Sequence, residues 1–162
     1  MFKTKPNNRL RAAMLIAATG FTAAYSASSS AADVYLRYTT TSKNLSDTGA
    51  PVTILSLTIP AGTWVVTAKA NPVSFGAADY VRCRIVVGAT QKDAGATLLG
   101  NAQPGPTGEM GPSVAQIALE TAITTTSSKV FKLDCQHDFP TPGIYLDPGA
   151  RIMIVRAPGP MG

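Results

Sequence analysis

From residue 34 onward the chain repeatedly alternates apolar and polar positions with a period of two, and helical spacing is scarce. VYLRYT (34–39) is the first β-rich run and VTILSLTI (52–59) a longer one. PAG (60–62) turns the chain into TWVVTAKA (63–70), which puts Trp64, Val66, Ala68 and Ala70 on one face. A three-residue turn between two such runs predicts a hairpin. YVRCRIVV (80–87) sets Val81, Cys83, Ile85 and Val87 inward, with Tyr80, Arg82 and Arg84 turned to solvent. VFKLDC (130–135) does the same with Phe131, Leu133 and Cys135 inward and Lys132 and Asp134 outward. RIMIVRA (151–157) is the last strand.

SVAQIALETAIT (113–124) fits either period, but its Thr-rich continuation disfavours helix, because β-branched side chains lose rotamer freedom there. It is expected to be a strand. NPVSFGAAD (71–79), SDTGAP (46–51), VGATQKDAGAT (87–97), DFPTPG (138–143) and LDPGA (146–150) are read as loops and turns. QPGPTGEMGPS (103–113) spaces Gly105, Gly108 and Gly111 like a collagen triplet. Three triplets cannot hold a triple helix, so the segment is expected to be an extended connection between strands. Seven or eight strands at this spacing predict an all-β, antiparallel, jelly-roll-like sandwich.

The first residues differ in kind. Lys3, Lys5, Arg9 and Arg11 precede an apolar run from Ala12 to Ala24, and small residues follow. That order is a secretory signal. The apolar run is too short to cross a bilayer, which takes about 20 residues. Cleavage is expected after Ala24, Ala27 or Ala32, with Ala27 favoured. The expected organisation is a signal at 1–27, a segment with the first strand at 28–50, a sandwich at 51–157 and a flexible tail at 158–162. The protein is therefore expected to be secreted, periplasmic or on the cell surface, with no membrane span once the signal is cut.

Charge then loses its apparent meaning. The whole chain is +5, but removing the four basic residues of the signal leaves ten Lys/Arg against nine Asp/Glu. Nothing basic remains to argue for nucleic acid. Cys83 and Cys135 are the only cysteines, and an even pair in an exported chain predicts a disulfide. Because both lie on the apolar faces of their strands, the bridge is expected to tie the two layers of the sandwich together.

Chemistry is sparse. DCQHD (134–138) offers Asp134, His137 and Asp138, and His137 is the only histidine. The segment is expected to be a solvated loop; no metal site and no cofactor are expected. A small hydrolase using His137 with Asp134 or Asp138 is the enzymatic alternative, but no Gly-x-Ser-x-Gly elbow accompanies it. The chain is thus read as a non-enzyme. Trp64 is assigned to the core, whereas Tyr80, Arg82 and Arg84 are the candidate exposed contacts for a glycan or another cell-surface partner.

LTIPAGTWVVTAKA (57–70), with CRIVVG (83–88) and VFKLDC (130–135), resembles small secreted bacterial proteins carrying a jelly-roll domain of the tumour-necrosis-factor and complement type. The resemblance spans roughly residues 50–157. It implies a non-catalytic domain that binds or assembles outside the cytoplasm and forms homotrimers. The collagen stalk such domains often follow is missing from this chain.

Overall fold

A computed structural model describes residues 33–100, 103–104, 110–140 and 142–157. The expected signal peptide, its cleavage sites, residues 105–109 of the glycine-triplet segment and the tail at 158–162 lie outside the described residues.

Eight main strands build the molecule: β1 (Val34–Tyr38), β2 (Val52–Ile59), β3 (Gly62–Ala70), β4 (Asp79–Val87), β5 (Thr90–Leu99), β6 (Ile117–Thr125), β7 (Lys129–His137) and β8 (Arg151–Arg156). They form two four-stranded antiparallel sheets, one ordered β1-β8-β3-β6 and the other β2-β7-β4-β5. With the eight strands divided this way between two packed sheets, the chain is a jelly roll. Ser113–Val114, Pro72–Ser74, Tyr145–Leu146 and Lys43–Asn44 form a smaller sheet in that order. Each short strand adjoins β6, β3, β8 or β1 along the chain, so the small sheet repeats the order of the first one.

The inner faces follow the alternation. Trp64, Val66, Ala68 and Ala70 of β3 are buried, as are Val81, Cys83, Ile85 and Val87 of β4 and Phe131, Leu133 and Cys135 of β7. Trp64 is 0% exposed and meets Tyr35 edge-on at 5.6 Å between ring centroids. Its indole N–H donates to the Pro60 carbonyl at 3.2 Å, which satisfies the one polar atom it brings into the core. The Arg156 guanidinium lies over its ring, 4.4 Å from the centroid.

Four expectations are corrected. PAG does not close a hairpin: β2 pairs with β7, and β3 pairs with β6 and β8. The turn carries the chain from one sheet to the other, so two runs adjacent in sequence never hydrogen-bond. The second correction concerns residues 87–97, expected to be turn. Gly88 and Ala89 alone make the turn, and Thr90–Leu99 is a full strand. Gly88 has φ +61°, as the first central position of a two-residue hairpin of type II′ requires.

Strand β5 carries no apolar alternation because its inward positions are Asp93, Gly95, Thr97 and Leu99, mostly small or polar. The facing sheet supplies the bulk there. A Cβ on Gly95 would lie 3.0 Å from Leu119 Cδ2 and 3.3 Å from Ile117 Cγ2. Third, Pro72–Ser74 is a short strand within a segment expected to be loop. Fourth, the glycine-triplet segment doubles back, with Gln103 and Pro104 paired to Gly111 and Met110.

Candidate functional site

The disulfide Cys83–Cys135 is present. The two residues are direct cross-strand partners on β4 and β7, with Cα atoms 4.1 Å apart. They are neighbours in one sheet, so the bridge does not tie the two layers together as expected. Period-two alternation puts both sulfurs on the inner face but cannot say which sheet each strand joins.

Outside that sheet, the same strands present the polar residues. Tyr80 is 44% exposed, and the Arg82 guanidinium sits 5.7 Å from its ring centroid. Arg82 is held by Asp138 in a two-pronged pair, Nε and Nη2 each donating at 2.7 Å. This pair raises the Arg82 pKa and holds the Asp138 carboxyl below the ordinary carboxylate value. Next along the face, Arg84 Nε lies 4.0 Å from Asp134 Oδ2, and Asp134 Oδ1 accepts from the Thr53 hydroxyl at 2.7 Å. Arg84 Nε is buried and has no hydrogen-bond partner. Arg82, Arg84, Gln91, Asp134 and Gln136 rim a shallow depression of about 250 Å³. Arg82 and Arg84 therefore share one surface, with Tyr80 beside Arg82.

His137 is not in a solvated loop. It is the last residue of β7 and continues the inward series of Phe131, Leu133 and Cys135, opposite Val81. Its side chain is 0% exposed, and its Nδ1–H donates to Asp79 Oδ2 at 2.9 Å. Asp79 is 1% exposed and also accepts from the Asp138 and Phe139 amides at 3.3 Å. Neither carboxylate proposed from sequence serves His137, since Asp134 faces outward with Arg84 and Asp138 pairs with Arg82. Its Nε2 is buried without a hydrogen-bond partner, and a general base must reach the proton it takes. Asp79 was overlooked because it sits 58 residues away in a segment read as loop. Among the described residues, no group of three His, Cys, Asp or Glu is placed to hold a metal ion.

The outer face of the β1-β8-β3-β6 sheet is different again. The register aligns Val34, Val155, Val65 and Ala122 in one row across the four strands. Leu36, Met153, Thr67 and Glu120 form the next, and Tyr38, Arg151, Lys69 and Ala118 the third. Val34, Leu36 and Tyr38 are 56%, 55% and 58% exposed. The half of this face nearest β1 is therefore mostly apolar and open to solvent. The sequence pattern hid it, because VYLRYT has apolar or aromatic residues on both faces.

No family model and no curated protein matches this chain. Its fold is similar to a chain of the T13 infectious bursal disease virus particle, with a TM-score of 0.52 at 12% identity. That likeness covers 77% of this chain and 31% of the viral one. The protein of the infectious bursal disease virus Gx strain gives a TM-score of 0.49 at 13% identity, covering 80% of this chain and 34% of that one. This chain thus spans about a third of the length of the solved chains it matches.

Proposed function

We propose that this protein is a non-catalytic jelly-roll module that works outside the cytoplasm by binding and assembly. Copies of the chain meet at the β1 margin of the β1-β8-β3-β6 sheet. The observation that carries this reading is the apolar area around Val34, Leu36 and Tyr38, continued by Met153 and Val155 on β8. Contiguous exposed apolar surface of this kind marks interaction sites. The disulfide supports a compartment that is oxidising. A viral particle built on a similar fold supports assembly as a use of it.

Sedimentation of the exported protein at micromolar concentration tests the reading. A reversible oligomer is expected, the trimer suggested by the sequence resemblance being one stoichiometry it distinguishes. A strictly monomeric protein with no surface partner overturns it. A second reading, recognition of a glycan or another cell-surface partner, rests on exposed Tyr80 beside Arg82 and the depression rimmed by Arg84. Tyr80→Ala is then expected to abolish binding on a glycan array; unchanged binding, or none by the unaltered protein, discards it.

A further inference from the structure

Each of the two main sheets ends in two edge strands, and edge strands invite pairing with another chain unless they are blunted. Three of the four are managed. On β6, the outward Glu120 amide donates to the Asp93 carboxylate across the gap between the sheets at 2.9 Å. β2 is interrupted by a register shift opposite Leu133 and Asp134, and the Ser56 carbonyl accepts from Arg37 at 2.8 Å. β5 carries Lys92 and a register shift opposite Ile85 and Val86.

Strand β1 has fewer of these devices: its one charged side chain, Arg37, is turned to the Ser56 carbonyl of β2. It contains no proline, no lysine and no bulge, and its pairing with β8 is regular over all five residues. Flanking bonds fix which main-chain groups are used: Arg156 donates to the Asp33 carbonyl, and the Thr39 amide donates to Ala150. Odd-numbered residues thus face β8. The amides and carbonyls of Val34, Leu36 and Tyr38 point away from the sheet, and among the described residues no hydrogen bond to them is present. Because the same three residues hold the exposed apolar side chains, free edge and apolar face coincide.

We infer that β1 pairs antiparallel with β1 of a second copy about a two-fold axis through Leu36, joining two four-stranded sheets into one of eight. This inference rests on the assembly reading and names its geometry. Five residues centred on Leu36 are self-complementary: Val34 meets the other copy's Tyr38, Leu36 meets Leu36, and Tyr35 meets Arg37. Each outward-pointing residue exchanges both main-chain bonds with its opposite number, as an antiparallel hydrogen-bonded pair does. No like charges face each other across the seam, which such pairing requires. On the outer face, Met153, Leu36 and their two-fold mates form one continuous apolar row. The contact is isologous and closes at two copies.

The test uses the exported full chain. Sedimentation equilibrium is expected to show a reversible dimer. Leu36→Lys places two ammonium groups on the axis and is expected to raise the dimer Kd about tenfold or more, that is, by about 1.4 kcal/mol or more. Leu36 is more than half exposed on the monomer, so thermal melting and the Cys83–Cys135 bridge should be unchanged in this variant. Leu36→Cys is expected to give a covalent dimer under mild oxidation, whereas Leu98→Cys, equally exposed on β5, should not. A dimer or trimer that survives Leu36→Lys, or that cross-links at Leu98 and not at Leu36, overturns the edge pairing while leaving assembly standing. A protein monomeric under all conditions overturns both.

Discussion

Reducing the Cys83–Cys135 bridge in the otherwise intact protein should lower its stability by about 4 kcal/mol. The cross-link closes a loop with a sequence separation of 52 residues. In the chain-entropy model that removes roughly 14 cal/mol/K from the unfolded ensemble, or about 4.1 kcal/mol at 25 °C. The native state needs little rearrangement, since Cys83 and Cys135 are direct partners on paired strands and both are 1% exposed. Reduction, unlike a Cys→Ala pair, keeps both sulfurs in the core and isolates the covalent term. For a sandwich of roughly 125 residues, an unfolding entropy of about 2.1 cal/mol/K per residue converts the loss to about 15 °C in Tm. Urea titration of oxidised and reduced protein, followed by circular dichroism, reads the difference directly. It should appear with little loss of strand signal in the reduced native state. A difference below about 1 kcal/mol would refute the reasoning, because the unfolded chain would then be held together by something other than the bridge.

Asp79→Ala deprives the buried His137 Nδ1–H and the Phe139 amide of their acceptor, and should cost about 2–4 kcal/mol in urea unfolding; a loss under about 1 kcal/mol contradicts the pairing. Gly95→Val forces a side chain against Leu119 and Ile117 of the opposite sheet, and should destabilise by about 1–3 kcal/mol, visible as a lower melting temperature. Asp138 titrates below the ordinary carboxylate value when folded because Arg82 donates to it. A depressed carboxyl adds stability above its unfolded pKa and loses it as pH falls through the folded value. Asp138→Asn should therefore flatten the acid limb of the stability–pH curve slightly, given how exposed the pair is, and leave stability below that limb unchanged. A steeper acid limb in the variant would contradict the sign.

Much of this protein is set by local alternation. In β3, β4 and β7 the residues read as inward are the buried ones, and both cysteines point into the core. A side chain's face depends only on its parity within its own strand, so one sequence is enough to assign it. Trp64 in the core and the antiparallel, all-β class follow on the same grounds.

Sheet membership is another matter, because it is decided by partners remote in the chain. PAG joins two strands that never pair, β2 pairing instead with β7 some seventy residues further on. The bridge therefore lies within a sheet rather than between layers. Strand β5 is fixed by its pairing with β4, and Leu119 and Ile117 fill the space over Gly95; an inner face of small residues carries no hydrophobic signal of its own. His137 acquired Asp79, and lost Asp134 and Asp138, for the same reason: a cross-strand pairing brings together residues whose separation no local spacing encodes. The free edge at β1 is likewise a fact of topology, set by β8 taking one side of the strand and no described strand the other.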